Sequence, residues 1–131
     1  MQEGTVLCFD FGLSRTGVAS GNTLTRSARP VKIIYAKTND ERWKAVECLV
    51  KEWEPVLLVV GVPRHGDGAD CDLTSRCERF ARQLGGRFRL PVRTVDERFS
   101  SVMVEHGADR IDDEAAAVIL QQYFDEQSAV A

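Results

Sequence analysis

The sequence predicts a mixed α/β fold: a five-stranded sheet that opens as an antiparallel meander, continues with parallel strands and carries helices on both faces. Three observations lead there. Short apolar segments separated by turn residues open the chain. At Thr38 the hydrophobic period changes from that of a strand to that of a helix. Val56–Val60 is then an unbroken apolar run, as expected of a strand covered on both faces.

Taken in order, Thr5–Phe11 reads as a buried strand that ends in a glycine turn. Gly17-Val-Ala-Ser and the residues from Thr23 onward flank Gly21-Asn22, a two-residue hairpin signal with glycine first. Val31–Tyr35, after Arg29-Pro30, supplies the third strand. Thr38-x-x-Glu41 is a capping box, and Trp43, Val46, Leu49, Val50 and Trp53 follow at helical spacing until Pro55. After Val56–Val60 a polar glycine loop runs from Arg64 to Asp70. The next helix carries Leu73, Cys77, Phe80, Ala81 and Leu84 within about a 100° arc, with Arg76, Arg79 and Arg82 opposite, and Gly85-Gly86 closes it. Leu90–Val95 is the last strand. Ser100–His106 and Asp112–Glu126 close the chain as helices, the second opening Asp-Asp-Glu at the positive end of its dipole.

The length of 131 residues fits one domain over residues 1–131, with a core that needs no disulfide or metal staple. An apolar fraction of 44% with 28% charged residues excludes disorder and fibrous folds. The longest apolar run, Val56–Val62, is far short of the roughly 18 residues that span a bilayer. Met-Gln-Glu-Gly has no basic start, so no secretory signal is expected, and Cys8, Cys48, Cys71 and Cys77 read as reduced thiols in a cytoplasmic protein. The net charge of −3 hides an uneven distribution. Residues 76–98 hold seven arginines and a local balance of +4, whereas residues 105–126 hold seven acids and a balance of −6. Arginine forks suit phosphates, but on charge alone a solvated helix face is the favoured explanation of such a run.

The chemistry-bearing residues are acids at the ends of elements. Asp10 lies between Phe9 and Phe11 near the end of the first strand, and a carboxylate among aromatics needs a cation or hydrogen bonds. Gly12 and Gly17 leave room for a phosphate or metal near the backbone. Glu97 follows the last strand, and Asp112 opens the final helix, where capping is the default role of an aspartate. Singly, none is specific. Together they lie where ligand sites gather in such sheets, beyond the strands' carboxyl ends. Three carboxylates meeting there repel one another unless divalent cations neutralise them, and carboxylate-held Mg²⁺ or Mn²⁺ drives phosphodiester hydrolysis.

Four motifs occur in order: Phe9-Asp10-Phe-Gly12-Leu-Ser-Arg15-Thr-Gly17-Val-Ala19, Val60-Gly61-Val-Pro63, Asp96-Glu97-Arg98-Phe-Ser-Ser101, and Asp112-x-x-x-Ala116-x-x-Ile119-Leu120-x-x-Tyr123. Over nearly the whole chain this pattern resembles the YqgF/RuvX family of small bacterial proteins. The resemblance implies an RNase H-like fold and a nuclease that matures the 5′ end of pre-16S ribosomal RNA, related to Holliday-junction resolvases. It implies catalytic, metal-holding roles for Asp10, Glu97 and Asp112, a Mg²⁺ or Mn²⁺ cofactor, and phosphate contact or carboxylate positioning by Arg15 and Arg98. A monomer or weak homodimer without membrane contact is expected. One departure concerns the loop that is glycine- and lysine-rich in many relatives: here Ser101–Asp112 is short and Arg110 is its only basic residue, which disfavours a branched DNA substrate. Asp113 stands beside Asp112 as a competitor for the metal.

Other readings stay in view. A junction-resolving DNA endonuclease and a non-catalytic RNA- or ribosome-binding module of the same fold are the alternatives. An actin- or sugar-kinase-like phosphate turn at Asp10-x-Gly12 conflicts with a chain of one lobe. His65, Cys71 and Cys77 match no common zinc spacing. Trp43 and Trp53 lie on an apolar stripe and read as core, while His65 and His106 read as solvated or capping residues.

Overall fold

Period-two alternation along the strands sends successive side chains to opposite faces, and the chain uses both faces to build two cores. The computed structural model describes residues 3–65, 69–99 and 112–130. In chain order the elements are β1 (Thr5–Asp10), β2 (Arg15–Asn22), β3 (Ala28–Tyr35), α1 (Asn39–Trp53), β4 (Leu57–His65), α2 (Asp72–Phe88), β5 (Val92–Phe99) and α3 (Asp113–Val130). Among the described residues the strands form one sheet in the order β3-β2-β1-β4-β5. The β1–β2 and β2–β3 pairs are antiparallel, and β1–β4 and β4–β5 are parallel. This is the meander followed by parallel strands that the sequence predicts.

On one face Leu7, Phe9, Val18, Leu58, Val60 and Val62 pack against Trp43, Val46 and Leu49 of α1 and Phe80 and Leu84 of α2. The Phe80 ring lies 4.8 Å from Phe11, 5.2 Å from Trp43 and 5.8 Å from Phe9, edge-on to the last. On the other face Val6, Cys8, Ala19, Val59 and Val95 meet Ala116, Ile119, Leu120, Tyr123 and Phe124 of α3. Each such large side chain contributes about 1.5–3 kcal/mol on burial. The near-uniform burial of β4 follows from its place between β1 and β5, with helices on both sides.

Local chemistry sets the ends of the helices. Thr38 caps α1 by accepting the Glu41 N–H at 3.2 Å, and Glu41 Oε2 accepts the Lys37 N–H at 3.1 Å. At the start of α2 the Thr74 hydroxyl accepts the Cys71 N–H at 2.8 Å and donates to the Pro63 carbonyl at 2.5 Å, which ties the helix to β4.

Several boundaries differ from the sequence reading: β3 begins at Ala28 and β4 runs on to His65, and three further differences bear on the packing or the site. Gly21-Asn22 is not the hairpin turn: both residues belong to β2, and the connection runs through 23–27. There the Asn22 side chain accepts the Leu24 N–H at 2.8 Å and Arg26 adopts φ 52°. Gly21 instead admits the Phe124 ring, which a Cβ would meet at 2.7 Å. Gly85-Gly86 does not end α2, which continues to Phe88 and stops at Arg89 with φ 55°. The extra turn packs Phe88 against the core and brings the Arg87 guanidinium 4.2 Å from the Trp43 ring centre, offsetting a cost of about 1 kcal/mol per helical glycine. Finally, β5 extends to Phe99, so Glu97 lies within the strand and not after it. The expected helix Ser100–His106 lies outside the described residues.

Candidate active site at the carboxyl rim of the sheet

Asp10 is the last residue of β1 and shares strand parity with Val6 and Cys8, so it belongs to the face covered by α3. Glu97 shares parity with Val95 and belongs to the same face. Strand β4 runs between them, with Phe9 beside Val60, Gly61 beside Val95 and Pro63 beside Glu97. A Cβ on Gly61 would stand 3.3 Å from Glu97 Oε2 and 2.6 Å from Ile119 Cδ1. The missing side chain is the space that Glu97 and Ile119 occupy.

A second glycine performs the same service on the other side. Gly17 pairs with Asp10 across β1 and β2. A Cβ there would meet the Asp112 carbonyl oxygen at 1.8 Å and the Asp113 nitrogen at 2.8 Å, so the start of α3 rests directly on the strand. In that seat the Asp112 N–H donates to the Asp10 carboxylate. Asp112 Oδ1 accepts the Ala115 N–H at 2.7 Å and caps α3. Gly17 thus makes room for backbone, where the sequence reading reserved that space for a phosphate or metal.

The electrostatics follow from this crowding. Burial first, then the Glu97 and Asp112 carboxylates, push the Asp10 carboxyl up from 3.8 to about 8, against the opposing pull of the Asp112 N–H and Arg15. Burial pushes Glu97 up from 4.5 to about 7. Below them burial, Asp10 and Glu97 hold the Cys8 thiol well above its usual range, protonated and unreactive. The rim is therefore short of positive charge, and its donors are oxygens throughout, the chemistry that suits a hard divalent cation. Among the described residues no three His, Cys, Asp or Glu side chains already stand together as a metal-binding group, and one oxygen of Asp112 is engaged in its cap.

Asp10, Glu97 and Asp112, singled out from sequence, are thus brought to one rim. Arg15 shares the face of Gly17 on β2 and acts on Asp10. Arg98 belongs to β5, but its side chain lies outside the described residues. Asp113 Oδ1 accepts the Glu114 N–H at 3.0 Å and plays no part in the shift of Asp10. His65 is exposed at the end of β4, and Cys77 is core, 1% exposed.

The sequence reading assigned no role to two contributors, Gly61, quoted only within a motif, and Arg42. Gly61 sits in the middle of a buried strand, a position that itself signals close approach of a neighbouring group. Arg42 is 4% exposed in α1 and donates to Asn39 Oδ1 at 2.6 Å and to the Leu13 carbonyl at 2.5 Å, with its guanidinium 5.0 Å from the Phe11 ring centre. It pins the loop that joins Asp10 to Arg15. The signal was available: Arg42 falls on the helical stripe of Val46, Leu49 and Trp53, where an arginine has to find buried partners.

Comparison with known proteins places this geometry in context. Residues 4–126 match the family described as "RuvX: Holliday junction resolvase". A protein of Burkholderia pseudomallei (strain 668) named "Putative pre-16S rRNA nuclease" is 52% identical over 131 residues, covering 95% of this chain and 90% of that protein. A protein of the same name from Burkholderia vietnamiensis (strain G4 / LMG 22486) is 51% identical over 138 residues, covering 97% and 93%. Among solved structures, Thermus thermophilus RuvC is similar with a TM-score of 0.56 and 12% identity, covering 95% of this chain and 96% of that one. The same protein in complex with a Holliday junction substrate gives a TM-score of 0.55 at 13% identity, over 95% and 96% of the two chains. The fold is the RNase H-like arrangement.

Proposed function

The chain belongs to the RuvX family, and from that premise we propose that it is a divalent-metal-dependent nuclease that hydrolyses phosphodiester bonds in RNA. Its proposed task is maturation of the 5′ end of pre-16S ribosomal RNA in the cytoplasm, after the name its relatives carry. No helix among the described residues is long and apolar enough to cross a membrane. The single observation that carries the chemistry is the approach of Asp10, Glu97 and Asp112 to one rim, with the Asp10 carboxyl pushed up by burial and by its acidic neighbours and the Glu97 carboxyl by burial.

In this reading Asp10, Glu97 and Asp112 would hold Mg²⁺ or Mn²⁺, which would supply a polarised water and positive charge for the leaving oxygen. The raised Asp10 carboxyl would have to be deprotonated to hold such an ion, so binding would be pH-dependent. Glu97 is seated over Gly61 on β5, where its carboxylate acts on Asp10. Arg15 and Arg98 orient the strand through its phosphates. Arg42 acts as a positioning residue for the loop between Asp10 and Arg15. The family description favours a second substrate, the four-way DNA junction. The scarcity of basic residues in Ser101–Asp112, where Arg110 stands alone, favours RNA over that branched substrate.

The test is a cleavage assay on end-labelled pre-16S leader RNA, unrelated single-stranded RNA and a four-way DNA junction, each with Mn²⁺, Mg²⁺ or chelator. Wild type is expected to cut the leader RNA only with a divalent ion, and Asp10→Asn to bind it without cutting. Cleavage by Asp10→Asn at the wild-type rate refutes the assigned site, and faster cutting of the junction than of RNA refutes the substrate. Silence on every substrate, with RNA bound equally by both proteins, replaces the nuclease with a binding module of the same fold.

A further inference from the structure

The outer side of α2 is almost entirely arginine. From Ser75 to the residue that ends the helix, the exposed positions are Ser75, Arg76, Arg79, Arg82, Gly86, Arg87 and Arg89. Among the described residues none of these five arginines forms an ion pair with a carboxylate. The nearby half-buried acid of the helix, Glu78, is taken by Arg64 of β4 at 3.6 Å. On the opposite face of the sheet, α3 exposes Glu114, Asp125 and Glu126. On the same face as α2, α1 and its C-cap expose Asp40, Glu41, Glu47, Glu52 and Glu54 beside Lys44 and Lys51, and α2 opens with exposed Asp72. The positive charge is therefore confined to the arginine surface of α2, which attracts a polyanion locally.

The row also has a direction. At 1.5 Å per residue, Arg76 to Arg87 spans about 16 Å along the helix. Its first member stands two residues after Thr74, whose hydroxyl is bonded to the Pro63 carbonyl, and Pro63 is the residue paired with Glu97. The row thus starts at the acidic rim and runs away from it.

The geometry points to a binding track for single-stranded RNA along α2, with Arg76, Arg79 and Arg82 holding successive phosphates and leading the strand over the β4–β5 rim to the acids. The inference rests on the nuclease reading for what happens at the rim, but not for the binding itself. A linear row of unpaired guanidinium forks suits the regular phosphates of a strand, since arginine stays charged and grips phosphate with two parallel donors.

The experiment measures binding of a fluorescein-labelled oligouridylate in EDTA, where nothing is cleaved, across a KCl series. The variants are Arg76→Gln/Arg79→Gln/Arg82→Gln and a charge-matched control, Lys32→Gln/Lys37→Gln/Lys44→Gln, all at exposed positions. The arginine variant is expected to bind at least tenfold more weakly at low salt. Its slope of log K against log[KCl] should fall by about two, at about 0.7 for each phosphate contact on a single strand. The lysine variant should stay close to wild type. Equal losses in both variants, no loss in either, or no binding by wild type overturns the track. So does a wild type that binds phosphatidylserine vesicles through these arginines and RNA without them. Cleavage separates the two readings. If the arginine variant cleaves leader RNA with unchanged kcat and KM, the track fails and the nuclease stands. If RNA binds along the arginines but no ion supports cutting, the nuclease fails and the track stands.

Discussion

Replacing Asp10 with asparagine keeps the shape of the side chain and removes its charge, which makes it a direct probe of the crowding at the rim. The Asp10 carboxyl titrates at about 8 in the folded protein against 3.8 ordinarily, so the native state keeps a proton that the unfolded chain gives up above about pH 4. Native stability from this group is therefore whole below about pH 4 and is lost as pH rises through 8. At about 1.4 kcal/mol per tenfold change in proton affinity, the ceiling on that loss is about 6 kcal/mol. Asp10 keeps partial contact with solvent, and part of the repulsion is shared with Glu97, so the expected loss in metal-free wild type between pH 5 and pH 8.5 is about 2–3 kcal/mol. Urea unfolding in EDTA at a series of pH values reads it. Wild type and Asp10→Asn should be nearly equal at pH 5, and the variant should be the more stable by about 2 kcal/mol at pH 8.5. Mn²⁺ at about 100 times its Kd should add about 2.7 kcal/mol to wild type and much less to the variant. Parallel stability curves for the two proteins across this range would refute the crowding on which the candidate site depends.

Other substitutions test the supports of the site. Gly17→Ala drives a Cβ into the backbone of Asp112, which has no side-chain freedom to yield, and should cost about 3 kcal/mol in urea unfolding. Gly61→Ala meets the flexible end of Ile119 and crowds Glu97 Oε2, so stability should fall by only about 1–2 kcal/mol while RNA cleavage falls at least tenfold; unchanged cleavage would show that the seat of Glu97 is immaterial. Gly86→Ala, exposed in a helix with no atom within 4 Å of the new methyl, should stabilise by about 0.5–1 kcal/mol, read as a higher Tm. Thr74→Val removes the acceptor for Cys71 and the donor to Pro63 in a fully buried position, and should cost about 1–3 kcal/mol by the same unfolding measurement.

Much of this architecture is legible along the chain, because it rests on local preferences. Alternation and apolar runs mark all five strands, the Thr38–Glu41 box marks α1, and Asp112 ahead of the Ala-rich stretch marks α3. The errors fall where tertiary contact overrules local signal. Gly21-Asn22 has the chemistry of a turn, yet Gly21 is needed as a flat spot beneath Phe124. Gly85-Gly86 has the chemistry of a stop, yet the contacts of Arg87 and Phe88 with Trp43 carry α2 further.

The same division runs through the site. Sequence alone singled out Asp10 and Asp112 at the ends of elements and Glu97 near the end of the last strand, because residue type and strand order are one-dimensional facts. It did not determine how close those acids come, and closeness decides their proton affinity. Only the tertiary structure placed Gly61 and Gly17 on either side of Asp10, so that Glu97 and the backbone of Asp112 enter from strands and a helix far apart in sequence. Only it set the arginines of α2 on the face opposite the acids of α3. The physical reason is range: propensity and periodicity act within a few residues, whereas desolvation, Coulomb repulsion and steric fit depend on distance in space.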